Sequence, residues 1–383
     1  MDTPLYEQIF NDLLMQIKTG KLSPNDRVPS EKELAVQFQV SRITSKKSLD
    51  KLAQIGVIER IRGKGSYVTN RLPDFAELDL QEDAQSKMTE LDTKAGLIGL
   101  IVPDFLSDGY GRDLLRSIEK QCSKYQLNLI IKCTYGVQEE EELAIKTLIQ
   151  RGVKGLIIYP VNGEHYTEAL LRLVVDKFPL VLVDRYLKGI PANAVYTDHR
   201  EASIKITDYL LDRGHRYIAF ISPPEEFTSS IEERLTGFTS AHLQRGLAVN
   251  PDYMITELFS TLPIFDFNHE FIEDQLKLEA FIHRNPQVSA FIACEYEIAL
   301  VLSHVLKKLG KRVPEDYSIA CFDHPKIPNT DVVITHIKQN ETKMGIKAVN
   351  NILDQLNQKD GPIQTVIDFC LIEGSSTKEV LKV

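Results

Sequence analysis

From residue 97 onward, short apolar runs alternate with amphipathic stretches of helical spacing, and this alternation constrains the fold most strongly. The runs have the length of strands and the β-branched content that is typical of strands buried on both faces. They form two series, at 97–102, 127–131, 155–159 and 180–183, then at 217–221, 253–256, 290–294 and 317–322. Helices are predicted between them, at about 111–124, 139–151, 164–177, 200–213, 231–246, 270–284 and 297–309. Such alternation builds parallel sheets covered by helices, so the two series predict two α/β lobes with a cleft beyond the strand carboxyl ends.

The first seventy residues follow a different pattern, which predicts three helices and a small hairpin. The expected order is a helix over 4–19, a helix that begins at Ser30, a corner at Val40, a helix over 42–55 and a hairpin over 57–69. Glu33 completes a capping box with Ser30, and Ser41 caps the third helix. This is the order of an α+β winged helix-turn-helix, which places one helix in the major groove of DNA.

Cations cluster at the start of the third helix and at the tip of the hairpin. Arginine pairs with guanine, threonine contacts a thymine methyl group or a phosphate, and lysine neutralises phosphates. We therefore predict DNA contacts from Ser30, Arg42, Thr44, Ser45, Lys46, Lys47, Arg62, Gly63, Lys64 and Gly65. The apolar residues of the third helix are expected on its buried side; they are Ile43, Leu49, Leu52 and Ile55. The alternative interpretation is a solvated, charged helix face without a ligand.

Charge is distributed unevenly along the chain. The formal net charge is −9, yet residues 1–72 hold twelve Lys or Arg against eight Asp or Glu, while the remainder holds 33 against 46. A basic head on an acidic body is typical of a regulator that binds DNA. We assign 1–72 to the DNA-binding head, 73–95 to a linker, and 96–383 to a body for effector binding and dimerisation. Within the body, lobe one is expected over about 96–198 plus 340–360, and lobe two over about 199–335 plus 361–376.

The composition argues against membrane, secreted and enzymatic classes. No run of eighteen apolar residues occurs, and the N-terminus lacks the pattern of a signal peptide, so we expect a cytoplasmic protein without a membrane partner. The five cysteines have no C-x-x-C pair and are expected to be buried free thiols. The nine histidines form no cluster, and His215 is expected at the surface. Since no hydrolase, zinc-protease or P-loop motif appears, we expect no enzymatic activity, no cofactor and no metal.

Ordered motifs carry a resemblance to two families. PLYEQI, PSEKELA, VSR-x-T and RGKGSYV lie between residues 4 and 70, and on these motifs the head resembles the GntR family of winged-helix regulators. That family usually has Val-Arg where this chain has Ser45 and Lys46. IGLIVPD, VDR, RGHRYIAFI, ERLTGF and THIKQ follow in the body, which resembles the LacI/GalR sensor domain and, through it, periplasmic sugar-binding proteins. The combination resembles the arabinose-repressor family of bacilli.

The second resemblance implies the residues of an effector site. LacI/GalR sensors hold sugars with side chains at strand ends in the cleft, which here correspond to Asp184, Arg234, Asp323 and Gln339. Glu295 departs from that family, which usually has Asn-Asp at Glu295-Tyr296, and Phe105 and Tyr110 are candidates to stack on a sugar face. Three alternatives stay open: cap or salt-bridge roles for the two aspartates, an ion pair of Arg234 with Glu232 or Glu233, and ordinary core or rim positions for the aromatics.

These resemblances imply a sequence-specific transcriptional regulator that binds a double-stranded operator as a homodimer. A small carbohydrate or sugar-phosphate effector would bind between the lobes and release a repressor of carbohydrate-utilisation genes. Two alternatives remain. In the first, the protein is a regulator whose body responds to a protein partner. In the second, it is a cytoplasmic sugar-binding protein that does not bind DNA.

Overall fold

A computed structural model describes residues 5–61, 64–70, 72, 96–104, 111–161, 166–224, 228–262, 267–323, 332–359 and 363–380. The chain divides into two compact units, Met1–Leu91 and Asp92–Val383. The proposed linker over 73–95 lies outside the described residues, as do Arg62, Gly63, Phe105 and Tyr110. None of the described helices is long and apolar enough to cross a membrane.

The head contains three helices and a three-stranded sheet. The helices are α1 (Leu5–Lys18), α2 (Glu31–Gln37) and α3 (Arg42–Gln54), and the strands are β1 (Arg27–Val28), β2 (Ile58–Ile61) and β3 (Gly65–Val68). The strands are antiparallel in the order β1-β3-β2. The capping box forms as predicted, because the Glu33 amide donates to Ser30 Oγ and the Ser30 amide donates to the Glu33 carboxylate. Three helices followed by a hairpin confirm the winged helix-turn-helix.

One face of each helix builds the core of the head. Its fully buried side chains are Ile9, Phe10 and Leu13 of α1, Leu34 of α2, Leu49 and Leu52 of α3, and Val57, Ile58 and Val68 near the hairpin. Ile43 is not among them, since 81% of it is exposed. At 3.6 residues per turn, Ile43 lies about 120° around the helix from Leu49. The prediction that Ile43 packs inward is therefore wrong.

Lobe one of the body is a six-stranded parallel sheet with helices on both faces. Its strand order is β14-β8-β7-β6-β4-β5, from β4 (Leu97–Val102), β5 (Asn128–Cys133), β6 (Gly155–Ile158), β7 (Leu180–Val183), β8 (Ala194–Thr197) and β14 (Gln364–Ile367). The helices are α4 (Arg112–Lys124), α5 (Gln138–Gln150), α6 (Glu168–Val175) and α11 (Glu341–Leu356). The inner strands are apolar on both sides, as their continuous apolar runs predict.

Lobe two repeats the plan with one antiparallel strand. The sheet order is β10-β9-β11-β12-β13-β15, from β9 (Ile218–Ile221), β10 (Met254–Ile255), β11 (Ala290–Ala293), β12 (Ser318–Phe322), β13 (Thr335–Gln339) and β15 (Phe369–Ile372). Only β15 runs antiparallel to its neighbour among these described pairings. The helices are α7 (His199–Asp212), α8 (Ser229–Gln244), α9 (Phe267–Arg284) and α10 (Tyr296–Lys308), and a short 3-10 turn spans Pro251–Tyr253. Two α/β lobes are confirmed.

The chain crosses between the lobes three times, at Asp198, Asn340 and Asp368. Two of these residues also cap helices, since Asp198 accepts from the Glu201 amide at 2.8 Å and Asn340 from the Lys343 amide at 3.1 Å. The assignment of 361–376 to lobe two is wrong for β14, which pairs with β8 in lobe one. The sequence pattern also missed β8, β13 and β15 as strands. His215 is fully buried, with Nδ1 2.8 Å from Ser289 Oγ, so its predicted surface position is wrong.

Candidate nucleic-acid interface and ligand cleft

The exposed side of α3 is cationic. Arg42, Lys46 and Lys47 are all exposed, and Ile43 stands among them. Positions 42, 43, 46 and 47 occupy one side of a helix because residues three and four apart are neighbours on its surface. Lys47 Nζ also lies 3.9 Å from the centre of the Tyr6 ring, which keeps the ammonium group close to α1. This side of α3 is therefore positively charged and exposed to solvent.

Two serines at the start of α3, the capping residue Ser41 and the helical residue Ser45, have local roles. Ser41 caps the helix, accepting from the Thr44 amide at 3.1 Å, and its Oγ lies 2.8 Å from Thr44 Oγ1. Ser45 is fully buried, and its Oγ donates to the Glu31 carbonyl oxygen at 2.8 Å. That bond ties α3 to the start of α2. The prediction that Ser45 contacts DNA is therefore corrected: its side chain holds the two helices together.

The sheet of the head is attached to both helices of the helix-turn-helix. Arg60 of β2 forms ion pairs with Glu31 at the start of α2 and with Asp50 of α3. Lys64 and Gly65 are exposed at the hairpin, where the φ of +116° at Gly65 requires a residue without a Cβ. These contacts fix the orientation of the hairpin relative to α3.

A groove of about 610 Å³ lies between the start of α3 and the hairpin. Ser30 and Arg42 line it together with Arg27 and Lys32, two exposed cations that the sequence analysis did not select. Ser30 is engaged in the cap of α2, so its role there is to position the helix. Arg27 and Lys32 lie outside the cluster on α3, and only the fold brings them beside Arg42.

The body contains a cavity of about 590 Å³ whose walls come from both lobes. All five predicted effector residues that the structure describes line it, namely Asp184, Arg234, Glu295, Asp323 and Gln339. Asp184, Glu295 and Asp323 lie just beyond the ends of β7, β11 and β12, Gln339 ends β13, and Arg234 lies on α8. These elements are far apart in the sequence. The sheets therefore face each other across the cavity at the carboxyl ends of their strands, as expected for α/β folds.

Asp184 and Asp323 occupy equivalent positions in the two lobes. Each directly follows a buried strand, and their φ angles are +68° and +62°. The Asp184 amide donates to the Val195 carbonyl oxygen at 3.0 Å, and the Asp323 amide donates to the Ile337 carbonyl oxygen at 2.9 Å. A positive φ is unusual outside glycine and is retained where a side chain must be aimed. Here it turns both carboxyl groups to the cavity.

Arg234 is buried in the wall of the cavity, with only 5% of its surface exposed. Its guanidinium group donates to the Cys294 carbonyl oxygen and to His199 Nδ1, and lies 4.0 Å from Asp323 Oδ2. Glu232 and Glu233 do not pair with it. Glu232 instead meets Lys188 at 2.6 Å, and Glu233 accepts from the Tyr186 hydroxyl at 2.6 Å.

Burial shifts the pKa values of ionisable side chains in and next to the cavity wall. It raises the pKa of Asp323 well above its usual range, against the opposing effect of the Arg234 charge. Burial likewise raises the pKa of Glu295, which Thr261 and Arg234 partly offset. The pKa of His199 falls to about 4 because burial and the nearby Arg234 disfavour the imidazolium. His199 is therefore neutral, with Nε2 donating to the Asp184 carbonyl oxygen.

Gln339 offers an open hydrogen-bonding position. The residue is 4% exposed, and its Nε2 donates to both Asp323 carboxylate oxygens at 3.2 Å. Within the described part of the chain, no group donates to its Oε1. A buried acceptor of this kind costs free energy unless a ligand or water supplies a donor. Gln339 and Asp323 thus form an acceptor surface suited to hydroxyl groups.

Two further residues of the cavity were not selected from the sequence. Arg185 follows Asp184, and its guanidinium carbon lies 4.8 Å from the centre of the Tyr159 ring. Arg185 also donates to the Pro160 carbonyl oxygen at 3.1 Å. Both side chains line the cavity. The adjacent position of Arg185 in the VDR motif was the available signal, whereas Tyr159 ends an apolar run and gave none.

Comparisons with known proteins agree with both halves of this description. Residues 5–68 match the bacterial regulatory proteins of the gntR family, and residues 207–377 match the periplasmic binding protein-like domain. The chain joins a GntR-type head to a periplasmic-binding-protein-like body. The transcription regulator CcpA of Lactococcus lactis has a similar fold, with a TM-score of 0.66 at 21% identity over 74% of this chain and 100% of that one.

Some relatives align along nearly the whole chain. The arabinose metabolism transcriptional repressor of Geobacillus stearothermophilus is 28% identical over 98% of both chains. Its counterpart in Halalkalibacterium halodurans is 25% identical over 97% of both. The ribose operon repressor of Haemophilus influenzae is 23% identical over 84% of this chain and 94% of its own. These relatives are repressors of sugar metabolism, in agreement with the regulator that the sequence analysis predicts.

Proposed function

We propose that this protein is a sequence-specific DNA-binding repressor of carbohydrate-utilisation genes that a small sugar releases from its operator. The observation that carries the proposal is the exposed cationic side of α3, formed by Arg42, Lys46 and Lys47 within a GntR-type head. Helix-turn-helix proteins insert this helix into the major groove, where arginine reads guanine and lysine neutralises phosphate. The two arabinose repressors that align along nearly the whole chain support the same assignment.

The effector is proposed to be an uncharged sugar, with arabinose the first candidate. Carboxyl groups outnumber guanidinium groups five to three in the cavity wall. The carboxyl groups belong to Asp104, Asp184, Glu295, Glu297 and Asp323, and the guanidinium groups belong to Arg112, Arg185 and Arg234. Carboxylates accept hydrogen bonds from pairs of hydroxyl groups, and Arg234 donates to ring or hydroxyl oxygens. A phosphate dianion would lie among carboxyl groups that outnumber the guanidinium groups, in a wall where burial already disfavours the ionised forms of Glu295 and Asp323. The cavity therefore favours a neutral polyol over a sugar phosphate.

Lobe closure is the proposed route from the sugar to the head. Helix α8 directs Arg234 into the cavity, while Glu232 and Glu233 on the same turn hold Lys188 and Tyr186 of lobe one. A sugar that engages Arg234 therefore acts on the helix that bridges the lobes. Coupling between two such sites is typically worth about 1–3 kcal/mol and is reciprocal. We propose that a homodimer transmits the change to two heads on a pseudo-palindromic operator in the cytoplasm.

Fluorescence anisotropy with a duplex selected from a random library tests the DNA-binding half. A regulator should bind that duplex with a steep dependence on salt concentration, since each neutralised phosphate releases counterions. A protein that selects no duplex at any salt concentration would instead fit a sugar-binding protein that does not act on DNA.

Calorimetry with arabinose, other pentoses, hexoses and their phosphates tests the second half. One neutral sugar is expected to bind, and its phosphate ester is expected to bind more weakly. If none of the panel binds while DNA binding is intact, the body responds to a different partner, such as a protein.

A further inference from the structure

We propose that Ile43 reads the methyl group of a thymine in the major groove and thereby sets part of the operator sequence. The inference rests on the proposed DNA binding and adds a specificity-determining residue to it. Ile43 lies in an unusual place for a large apolar side chain. Ile43 is 81% exposed, although burying an isoleucine is among the larger stabilising contributions available to a small domain.

The residues around Ile43 indicate which kind of partner would bury its side chain. Arg42, Lys46 and Lys47 are exposed on the same side of α3. A second protein seated on Ile43 would have to bring its own negative charge to this side. DNA brings both features at once, because it is a polyanion that exposes one apolar group, the thymine methyl, in the major groove. The charge and the single apolar side chain are therefore complementary to the same ligand.

The position of Ile43 within α3 favours contact with base edges. It is the second residue of the helix, directly after Arg42. Helix-turn-helix proteins contact bases with the first residues of this helix, while residues further along and on flanking elements contact the backbone. Leu49 and Leu52 point away from this side, are buried in the core and anchor the helix. Substitution at Ile43 therefore leaves the packing of the head intact.

The experiment removes the methyl group from the DNA and the side chain from the protein. The full-length protein first selects a duplex from a random library, and each thymine of that duplex is then replaced singly by deoxyuridine, which lacks only the methyl group. Wild-type protein should lose about fourfold in affinity at one thymine of each half-site, the value of one buried methyl group. The Ile43→Ala variant should bind the thymine and deoxyuridine duplexes equally.

Val36→Ala is the matched control, because Val36 is an apolar residue 74% exposed on α2. This variant should discriminate thymine from deoxyuridine as the wild type does. Wild-type protein that binds its duplex but tolerates every replacement overturns the inference and leaves the proposed DNA binding standing. Loss of discrimination in Val36→Ala also overturns it, as does an Ile43→Ala variant that keeps the discrimination. Failure to select any duplex overturns the proposed function and this inference with it.

Discussion

Replacement of Asp323 by asparagine separates effector binding from folding. The carboxyl group lies 4.0 Å from Arg234 and accepts from Gln339 Nε2 at 3.2 Å through each oxygen, and its remaining acceptor positions are available to a ligand in the cavity. The carboxyl group can accept at either oxygen, whereas asparagine keeps a single acceptor oxygen, and a buried sugar hydroxyl left without its acceptor costs about 1–3 kcal/mol. Asp323→Asn should therefore weaken sugar binding by about 5- to 150-fold.

The same substitution should have little effect on stability. Burial raises the pKa of Asp323, so its ionised form is disfavoured in the folded protein and a neutral amide is tolerated. The new amide group can donate to Gln339 Oε1, which has no donor in the described structure. We expect a free energy of unfolding within about 1 kcal/mol of the wild type.

Three assays apply: calorimetry with the sugar of the panel that binds most tightly, thermal unfolding for stability, and operator anisotropy for DNA binding. Asp252→Asn is the control, because it makes the same aspartate-to-asparagine change at an exposed position of lobe two that does not line the cavity. The variant at Asp323 should lose sugar binding alone. If it unfolds and loses DNA binding together, Asp323 is a structural residue; if its sugar affinity equals that of the control, the cavity is not the effector site.

The remaining predictions concern the head and the pH dependence of the body. A Lys46→Ala, Lys47→Ala double variant should make the slope of log affinity against log salt shallower by about two, and an unchanged slope would exclude both ammonium groups as phosphate contacts. Ser30→Ala should lower the free energy of unfolding of the head by about 1 kcal/mol in urea titrations, because the capping bond at 3.3 Å is lost; equal midpoints would refute this. Ser45→Ala should also lower the free energy of unfolding of the head by about 1 kcal/mol, because the hydrogen bond to the Glu31 carbonyl oxygen is lost. This variant should select the same DNA bases as the wild type. Burial lowers the pKa of His215 to about 4, whereas the unfolded chain protonates this residue near pH 6.5, so the body loses stability as the pH falls from about 6.5 toward 4. His215→Asn should reduce the slope of unfolding free energy against pH in this range by up to about 1.4 kcal/mol per pH unit. Parallel curves for the variant and the wild type would refute this prediction.

Patterns with a clear period predicted most of the fold. The continuous apolar runs marked the inner strands of both sheets, and the capping box marked the start of α2. The strand β14 gave no such signal, because it is an edge strand whose residues QTVI alternate in exposure. Its partner β8 is 170 positions earlier in the chain, and only the packed lobe brings them together.

The candidate site was predictable where residue type alone decides the role. Arg234 shows the limit: Glu232 and Glu233 are neighbours in sequence, but successive helix residues point about 100° apart, so they reach a different element. Ser45 shows another, because a hydroxyl group suits both a phosphate and a buried carbonyl oxygen, and the close approach of α2 decides between them. Ile43 was assigned to the core for its apolar character, and only its angular position places it outside.

The central claim is that occupancy of the cavity in the body changes how firmly the head holds DNA. Anisotropy titration of the full-length protein on its selected duplex, with and without a saturating concentration of the sugar found by calorimetry, measures that coupling. We predict that the sugar weakens DNA binding by about 5- to 150-fold, and that Asp323→Asn abolishes this response at the same sugar concentration. Equal affinities with and without a sugar that demonstrably fills the cavity would contradict the account.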